Sequence, residues 1–221
     1  MKIKVIGDTH GNPIWKTFIE DIEEYDKIIF LGDYLDAYRF DSRETIDNFK
    51  EIIELKLKYP DKVVLLFGNH CIHYIFAIQP CSRYMKHYRL EIENIYKEHL
   101  ELFQFAYQYE NHLFTHAGIS KVWFDYLFKG VYNGDYATQL NNAGEKRKHL
   151  FAIGPERGGL DFVGGPCWID RHVFDFDEHL FESETIIQIV GHSKVKKPLY
   201  YENMIFIDCL EYDAQPLILN L

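Results

Sequence analysis

The chain has 221 residues, 47% of them hydrophobic and 16% aromatic, with a formal net charge of -10. That content is enough for a large core and excludes a disordered chain. The acidic balance argues against an extended nucleic-acid surface or an anionic membrane as partner, while leaving room for a local basic pocket for a phosphate. The length fits one domain over residues 1–221, and no window is apolar enough to span a bilayer.

A short apolar run recurs along the chain, each time ending abruptly in a few polar residues. The first, Ile3 to Ile6, ends in Gly7-Asp8-Thr9-His10-Gly11. It begins almost at Met1 and leaves no room for a secretory leader, so a cytoplasmic location is expected. A helical stretch is predicted over Pro13 to Tyr25, with Trp15, Phe18, Ile19 and Ile22 on one face. The second run, Lys27 to Leu31, ends in Gly32-Asp33-Tyr34-Leu35-Asp36. A helix from Ser42 to Lys58 follows, with Asp41 and Glu44 as its start signal and Pro60 as its stop.

The third run, Val63 to Phe67, ends in Gly68-Asn69-His70, and a mostly helical region is expected from Cys81 to Tyr109. The fourth, His112 to Thr115, ends in His116-Ala117-Gly118. The fifth, Ile186 to Val190, ends in Gly191-His192-Ser193. Strands near Met204 to Ile207 and Pro216 to Leu219 close the chain, and residues 130–170 read as long loops around a site mouth. The β-α-β-α-β beginning predicts a parallel core, and the later β-rich part predicts a second, mixed sheet. Cys71, Cys81, Cys167 and Cys209 form no C-x-x-C pair and read as reduced thiols.

In open α/β sheets, sites form beyond the carboxyl ends of the strands. The five runs deliver Asp8, His10, Asp33, Asn69, His116 and His192 to that edge. A lone Gly-Asp after a strand is an ordinary turn. Five strand ends carrying the same class of ligand are not. Oxygen and imidazole donors together suit manganese, iron, zinc or a related divalent metal, and a carboxylate can bridge two such ions. Asp8 and His10, two residues apart in an extended segment, point the same way and can chelate one ion.

These five motifs, in this order, resemble those of the calcineurin-like metallophosphoesterases, and most closely the branch holding bacterial and phage serine/threonine phosphoprotein phosphatases and diadenosine tetraphosphate hydrolases. The resemblance runs from residue 7 to residue 192. It implies an α/β fold: a four-layer α/β/β/α sandwich of two mixed sheets flanked by helices. It also implies two divalent ions, manganese first, with iron, zinc, nickel or cobalt as other options. Asp8 and His10 would bind the first ion, Asp33 would bridge, and Asn69, His116 and His192 would bind the second. A hydroxide between the ions would attack phosphorus, its pKa lowered from 15.7 toward roughly 7. His70, paired with Asp36, would protonate the departing oxygen. Ser193-Lys194 replaces the further histidine that many superfamily members carry there, as in the protein phosphatase branch.

The chain departs from that branch in its arginines. Ala37 and Phe67 stand where the branch has phosphate-clamping arginines, and Cys71 where it has Glu. Arg171, in Trp168-Ile169-Asp170-Arg171, is the first candidate for the phosphate face, then Arg39, with Arg157 third. His73, His87, His99, His112, His149, His172 and His179 have no ligand spacing and are assigned to surface or packing, and Lys194, Lys196 and Lys197 to solvated surface. The expected activity is hydrolysis of phosphorylated Ser/Thr residues. A dinucleoside polyphosphate or other nucleotide is the alternative substrate, and a silent interaction module on the same scaffold the non-enzymatic one.

Overall fold

Two mixed β-sheets packed face to face organise the computed structural model, which describes residues 1–76, 78, 80–212 and 215–221. In the first sheet, β1 (Lys2–Ile6), β2 (Lys27–Phe30), β3 (Val63–Leu66) and β4 (Phe103–Gln104) run parallel in that order. β10 (Leu217–Asn220) pairs antiparallel on the outside of β1. In the second sheet, β5 (Ala106–Tyr109) pairs antiparallel with β6 (His112–Thr115). Strands β6 and β9 (Met204–Asp208) flank β7 (Ile187–Lys194) in parallel, and β8 (Leu199–Tyr201) pairs antiparallel with β9.

Period-two alternation explains why these runs are apolar throughout: both faces of each sheet are covered. Ile3, Val5, Ile29, Leu31, Val64 and Leu66 of one sheet meet Phe114, Ile189, Ile205 and Ile207 of the other in a buried layer between the sheets. The intervening Ile28, Phe30, Val63, Leu65, Leu113, Val190 and Phe206 pack outward with the helices. The helices are α1 (Trp15–Phe18), α2 (Ser42–Lys58), α3 (Asn69–Ile75), α4 (Arg89–His99), α5 (Tyr136–Asn141) and α6 (Arg147–Leu150). The result is the expected pair of mixed sheets flanked by helices.

Helix α2 has the predicted limits. Asp41 Oδ1 accepts from the backbone N–H of Arg43 (2.8 Å) and Glu44 (2.9 Å), and the Glu44 carboxylate accepts from Asp41 N–H. The stretch from Pro13 to Tyr25 is instead broken into α1 and a 3₁₀ turn, Ile22–Glu24. The buried Lys4 Nζ donates to Phe18 O and to Asp21 Oδ1, both at 2.6 Å. It thereby takes the carbonyl that a continuing helix would offer to Ile22 N–H, which goes to Ile19 O. The expected helical region also ends early: Phe103–Gln104 and Ala106–Tyr109 are strands, one in each sheet, with a bend at Phe105 between them. The alternation of Phe103, Phe105 and Tyr107 with Gln104, Ala106 and Gln108 is a period-two signal.

Candidate metal and phosphate site

The carboxyl ends of β1, β2, β3, β6 and β7 converge on one cleft of about 550 Å³. Asp8, His10, Asp33, Asn69, His70 and His192 line it, and Asp36 and His116 lie fully buried behind them. The cost of this convergence appears in the backbone. His10 (φ 41°), Asp33 (φ 50°), Asp36 (φ 58°) and His192 (φ 61°) all adopt left-handed conformations, each unfavourable by about 1 kcal/mol or more for a residue with a side chain. Four such residues at one site indicate that the turns are shaped to aim side chains.

Two glycines make room for the carboxylates. A Cβ on Gly68 would lie 2.1 Å from Asp33 Oδ1, and one on Gly191 would lie 2.1 Å from Asp8 Oδ1. Asp33 Oδ1 accepts from His70 N–H at 2.8 Å. The Asp8 carboxylate accepts from His192 N–H at 3.0 and 3.1 Å. Each carboxylate is thus held by the backbone of a motif far away in the chain.

The side-chain donors fall into two groups that share Asp33. Atoms of His10, Asp33 and His70 lie within 4.8 Å of one another, and so do atoms of Asp33, His116 and His192. His10 Nδ1–H donates to Leu35 O at 2.8 Å, leaving Nε2 to face Asp33 Oδ2 at 3.8 Å. His116 Nδ1–H donates to Leu31 O at 2.8 Å, so its Nε2 points inward. There it lies 2.9 Å from Asn69 Oδ1, 3.2 Å from His192 Nδ1 and 3.4 Å from Asp33 Oδ2. Asn69 Oδ1 also lies 2.9 Å from His192 Nδ1. The Asn69 amide nitrogen turns the other way, toward Cys81 Sγ at 3.4 Å. Oxygen and imidazole atoms aimed at one another in a buried space match a divalent cation better than protons, which can join them only pairwise.

The electrostatics agree. Burial alone would raise Asp33, yet His116, His70 and His10 hold its carboxyl well below the usual carboxylate range. Burial, and then Asp208, push Asp8 well above that range. Burial would lower His116, but Asp33 and Asp8 raise it to about 9. Burial, His116 and Arg157 push His192 well down, and its Nε2 is a buried nitrogen without a partner. A bound cation would reverse the penalty on Asp8.

Beside these groups, His70 Nδ1–H donates to Asp36 Oδ2 at 2.8 Å. Burial opposes the charged imidazole, but Asp33 and Asp36 outweigh it and raise His70 above its ordinary value. Asp36 is held below its own ordinary value: burial would raise it, and the imidazoles of His70 and His73 beside it lower it.

The arginines are arranged differently from the sequence-based order. Arg157, ranked third, lines the cleft; its Nε donates to Asp170 Oδ2 at 2.8 Å. Arg171 is not among the lining residues of the cleft, and its backbone N–H donates to Ser193 Oγ. Arg39 lines an adjoining pocket and pairs with Glu211 at 3.1 Å. Lys194, read as solvated surface that could lie near the mouth, does line the cleft, where it pairs with Glu211 at 2.5 Å and lies 4.3 Å from the Tyr38 ring centroid. Two further residues escaped sequence reading. Asp208, at the end of β9, lines the cleft, and burial and Asp33 raise its carboxyl to about 7. Its signal was its position, a polar residue closing the apolar run Met204 to Ile207. His73, assigned to packing, contacts Asp36 (3.0 Å). No helix among the described residues is long and apolar enough to cross a membrane.

Comparison with known proteins gives this arrangement a context. A family model described as calcineurin-like phosphoesterase matches residues 1–200. A Schizosaccharomyces pombe protein named as a candidate serine/threonine-protein phosphatase is 35% identical over 77 residues, which cover 31% of this chain and 22% of that protein. The chain therefore spans about a fifth of that relative's length. Among solved structures, a cold-active protein-tyrosine phosphatase of a psychrophilic Shewanella species is similar, with TM-score 0.59 and 19% identity over 94% of this chain and 71% of that one. A Saccharomyces cerevisiae protein serine/threonine phosphatase, described as similar to human PP5, also has TM-score 0.59, with 14% identity over 97% and 70%. At these identities the structural likeness is one of fold.

Proposed function

The chain belongs to the calcineurin-like phosphoesterase family, and from that premise we propose that it hydrolyses phosphoserine and phosphothreonine in proteins, with two divalent cations held around Asp33. The observation that carries the metal part of this reading is that Asp33 lies within 4.8 Å of His10 and His70 on one side and of His116 and His192 on the other, with Asp8 and Asn69 lining the same cleft. Asp8, His10 and Asp33 would hold one ion, and Asp33, Asn69, His116 and His192 the other. Manganese suits this set of oxygen and imidazole donors. When bound, the ions supply Lewis acidity toward the phosphoryl oxygens and lower the pKa of the attacking water.

The chain's own groups supply the rest. Serine and threonine leave as poorly stabilised alkoxides, so the departing oxygen needs a proton. His70 faces the cleft, donates its Nδ1–H to Asp36, and has its pKa raised by Asp33 and Asp36 against the opposing effect of burial, which favours the protonated ring. Its Nε2–H bond breaks as the new O–H bond forms and the P–O bond to the leaving group breaks, a contribution of typically 10²–10⁴-fold. Arg157 and Lys194 stand on the cleft walls as cations for the phosphoryl oxygens. Cys71, Cys81 and Cys167 are free thiols, in keeping with a reducing, cytoplasmic setting.

Asp33→Asn should lose both bound ions by elemental analysis and, with them, manganese-dependent hydrolysis of p-nitrophenyl phosphate. A variant retaining two ions and full turnover would overturn the bridging role. A second reading, hydrolysis of a dinucleoside polyphosphate, is favoured by the two cations Arg157 and Lys194, which could take successive phosphates. Comparing kcat/KM for phosphoserine, phosphothreonine and phosphotyrosine peptides with that for diadenosine tetraphosphate separates the readings. The highest value is expected on phosphoserine or phosphothreonine, and preference for the dinucleotide would replace that substrate class with the second.

A further inference from the structure

Asp36 does not serve His70 alone. Its Oδ2, which accepts from His70 Nδ1–H, also lies 3.0 Å from His73 Nε2. Its Oδ1 accepts from Tyr74 Oη–H at 2.5 Å. Asp36, His70 and His73 form a third tight group of side chains, and both Asp36 and the His73 side chain are completely buried.

The proton on His73 can be located from its other contact. The backbone N–H of Cys81 donates to His73 Nδ1 at 2.9 Å. A nitrogen that accepts carries no proton, so the proton of the ring is on Nε2, the atom facing Asp36. His73 Nε2 lies 3.0 Å from Asp36 Oδ2 and makes no regular hydrogen bond, there or elsewhere, among the described residues, so Asp36 is the acceptor within its reach. Tyr74 is anchored in the same way: its hydroxyl accepts from Met85 N–H at 2.9 Å and so directs its own proton to Asp36. His73 and Tyr74 are neighbours on α3, the helix that begins at Asn69 and carries His70. One turn of helix therefore supplies both His70 and the two side chains that fix its carboxylate partner. Asp36 itself sits in a left-handed turn, a costly backbone conformation that persists where the surrounding structure holds it.

We propose that His73 is a positioning residue for the reaction, donating from Nε2 to Asp36 so that Asp36 holds the His70 ring in line with the departing oxygen. This rests on the phosphoesterase reading with His70 as proton donor. It goes beyond the His70–Asp36 pair by assigning a function to a histidine that sequence spacing leaves as packing.

Two substitutions separate this role from simple support of the Cys81 segment. In His73→Gln the side-chain amide nitrogen can reach the place of Nε2 and still donate to Asp36. In His73→Asn the side-chain oxygen can still accept from Cys81 N–H, but nothing reaches Asp36. The measurement is kcat on p-nitrophenyl phosphate, whose leaving group needs little protonation, and on phenyl phosphate, whose leaving group needs more, in manganese-loaded enzyme of verified metal content. His73→Asn should lose about 10-fold or more on phenyl phosphate, the scale of loss of an outer-shell partner, with a much smaller loss on p-nitrophenyl phosphate. His73→Gln should keep the wild-type ratio of the two rates. Tyr74→Phe, which removes the other donor to Asp36 while keeping the ring, should shift the ratio in the same direction as His73→Asn, which keeps the test available if His73 variants fold poorly.

Equal losses on both substrates, or rescue by Asn and not by Gln, would overturn the positioning role and assign His73 to loop support. A wild-type enzyme inactive on both substrates would instead overturn the phosphoesterase reading beneath it.

Discussion

At the scale of single residues, the site depends on where side chains are absent as much as on where they are present. Gly191 has no Cβ, and the Asp8 carboxylate fills that space while accepting from His192 N–H. Under the proposed two-ion arrangement, Gly191→Ala should therefore displace Asp8 and weaken binding of the ion assigned to Asp8 and His10 by about 10-fold or more, as loss of outer-shell support does, with less effect on the ion assigned to Asn69, His116 and His192. Calorimetric titration with manganese checks this, and two unchanged binding steps would refute it. The six candidate donors and the His70–Asp36 pair were legible in the sequence because each follows an apolar run at a strand end. His73 was not, and Arg157 stood only as the third candidate for the phosphate face. His73 lies inside a helix, where its spacing from His70 is that of any helical neighbour. Arg157 reaches the cleft only through the loop around Gly158 and Gly159, whose path no periodicity encodes.

At the scale of elements, local signals worked where local forces decide. Asp41 and Glu44 form a reciprocal capping box at the start of α2. Asp41→Ala should cost about 1 kcal/mol, read as a lower midpoint in chemical denaturation with unchanged metal stoichiometry. No change in the midpoint would mean that packing of Ile46, Phe49 and Ile52 alone holds the helix start. The 13–25 stretch shows the opposite case. Its apolar spacing is helical, but Lys4, distant in sequence on β1, takes the Phe18 carbonyl. No window of sequence contains both partners, so the break could not be read locally. The strand at 106–109 lies in the stretch expected to be helix, although Tyr107 and Tyr109 alternate with Ala106 and Gln108. What obscured it was the strongly helical pattern of the residues just before it.

The whole molecule buries Asp8, Asp33, Asp208 and His116 together at the cleft, and this has a consequence for pH. Burial and then Asp33 raise Asp208 to about 7. Burial opposes it, but Asp33 and Asp8 raise His116 to about 9. In the unfolded chain these groups titrate near about 4 and 6.5. Each binds its proton more tightly when folded, so its contribution to stability is complete below the unfolded value and is lost as pH rises through about 7 for Asp208 and about 9 for His116. The lowered His10 and His192 titrate below that window and do not mask it. Chelator-treated protein should therefore melt at lower temperature at pH 9 than at pH 7. Manganese, which must displace the His116 proton from the same donor atoms, should reduce that slope. A melting temperature that holds or rises over this interval in chelator would refute the assignment.

The bond from His192 N–H to Asp8 joins positions 184 residues apart. On a ribosome adding roughly 5–20 residues per second, Asp8 and His10 emerge about 10–40 s before the segment that completes their pocket. During that interval β1 also lacks β10, its outer neighbour. A growing chain thus exposes the Asp8-His10 pair long before it can enclose a cation, and tight capture would have to wait until the segment around His192 has emerged and folded back.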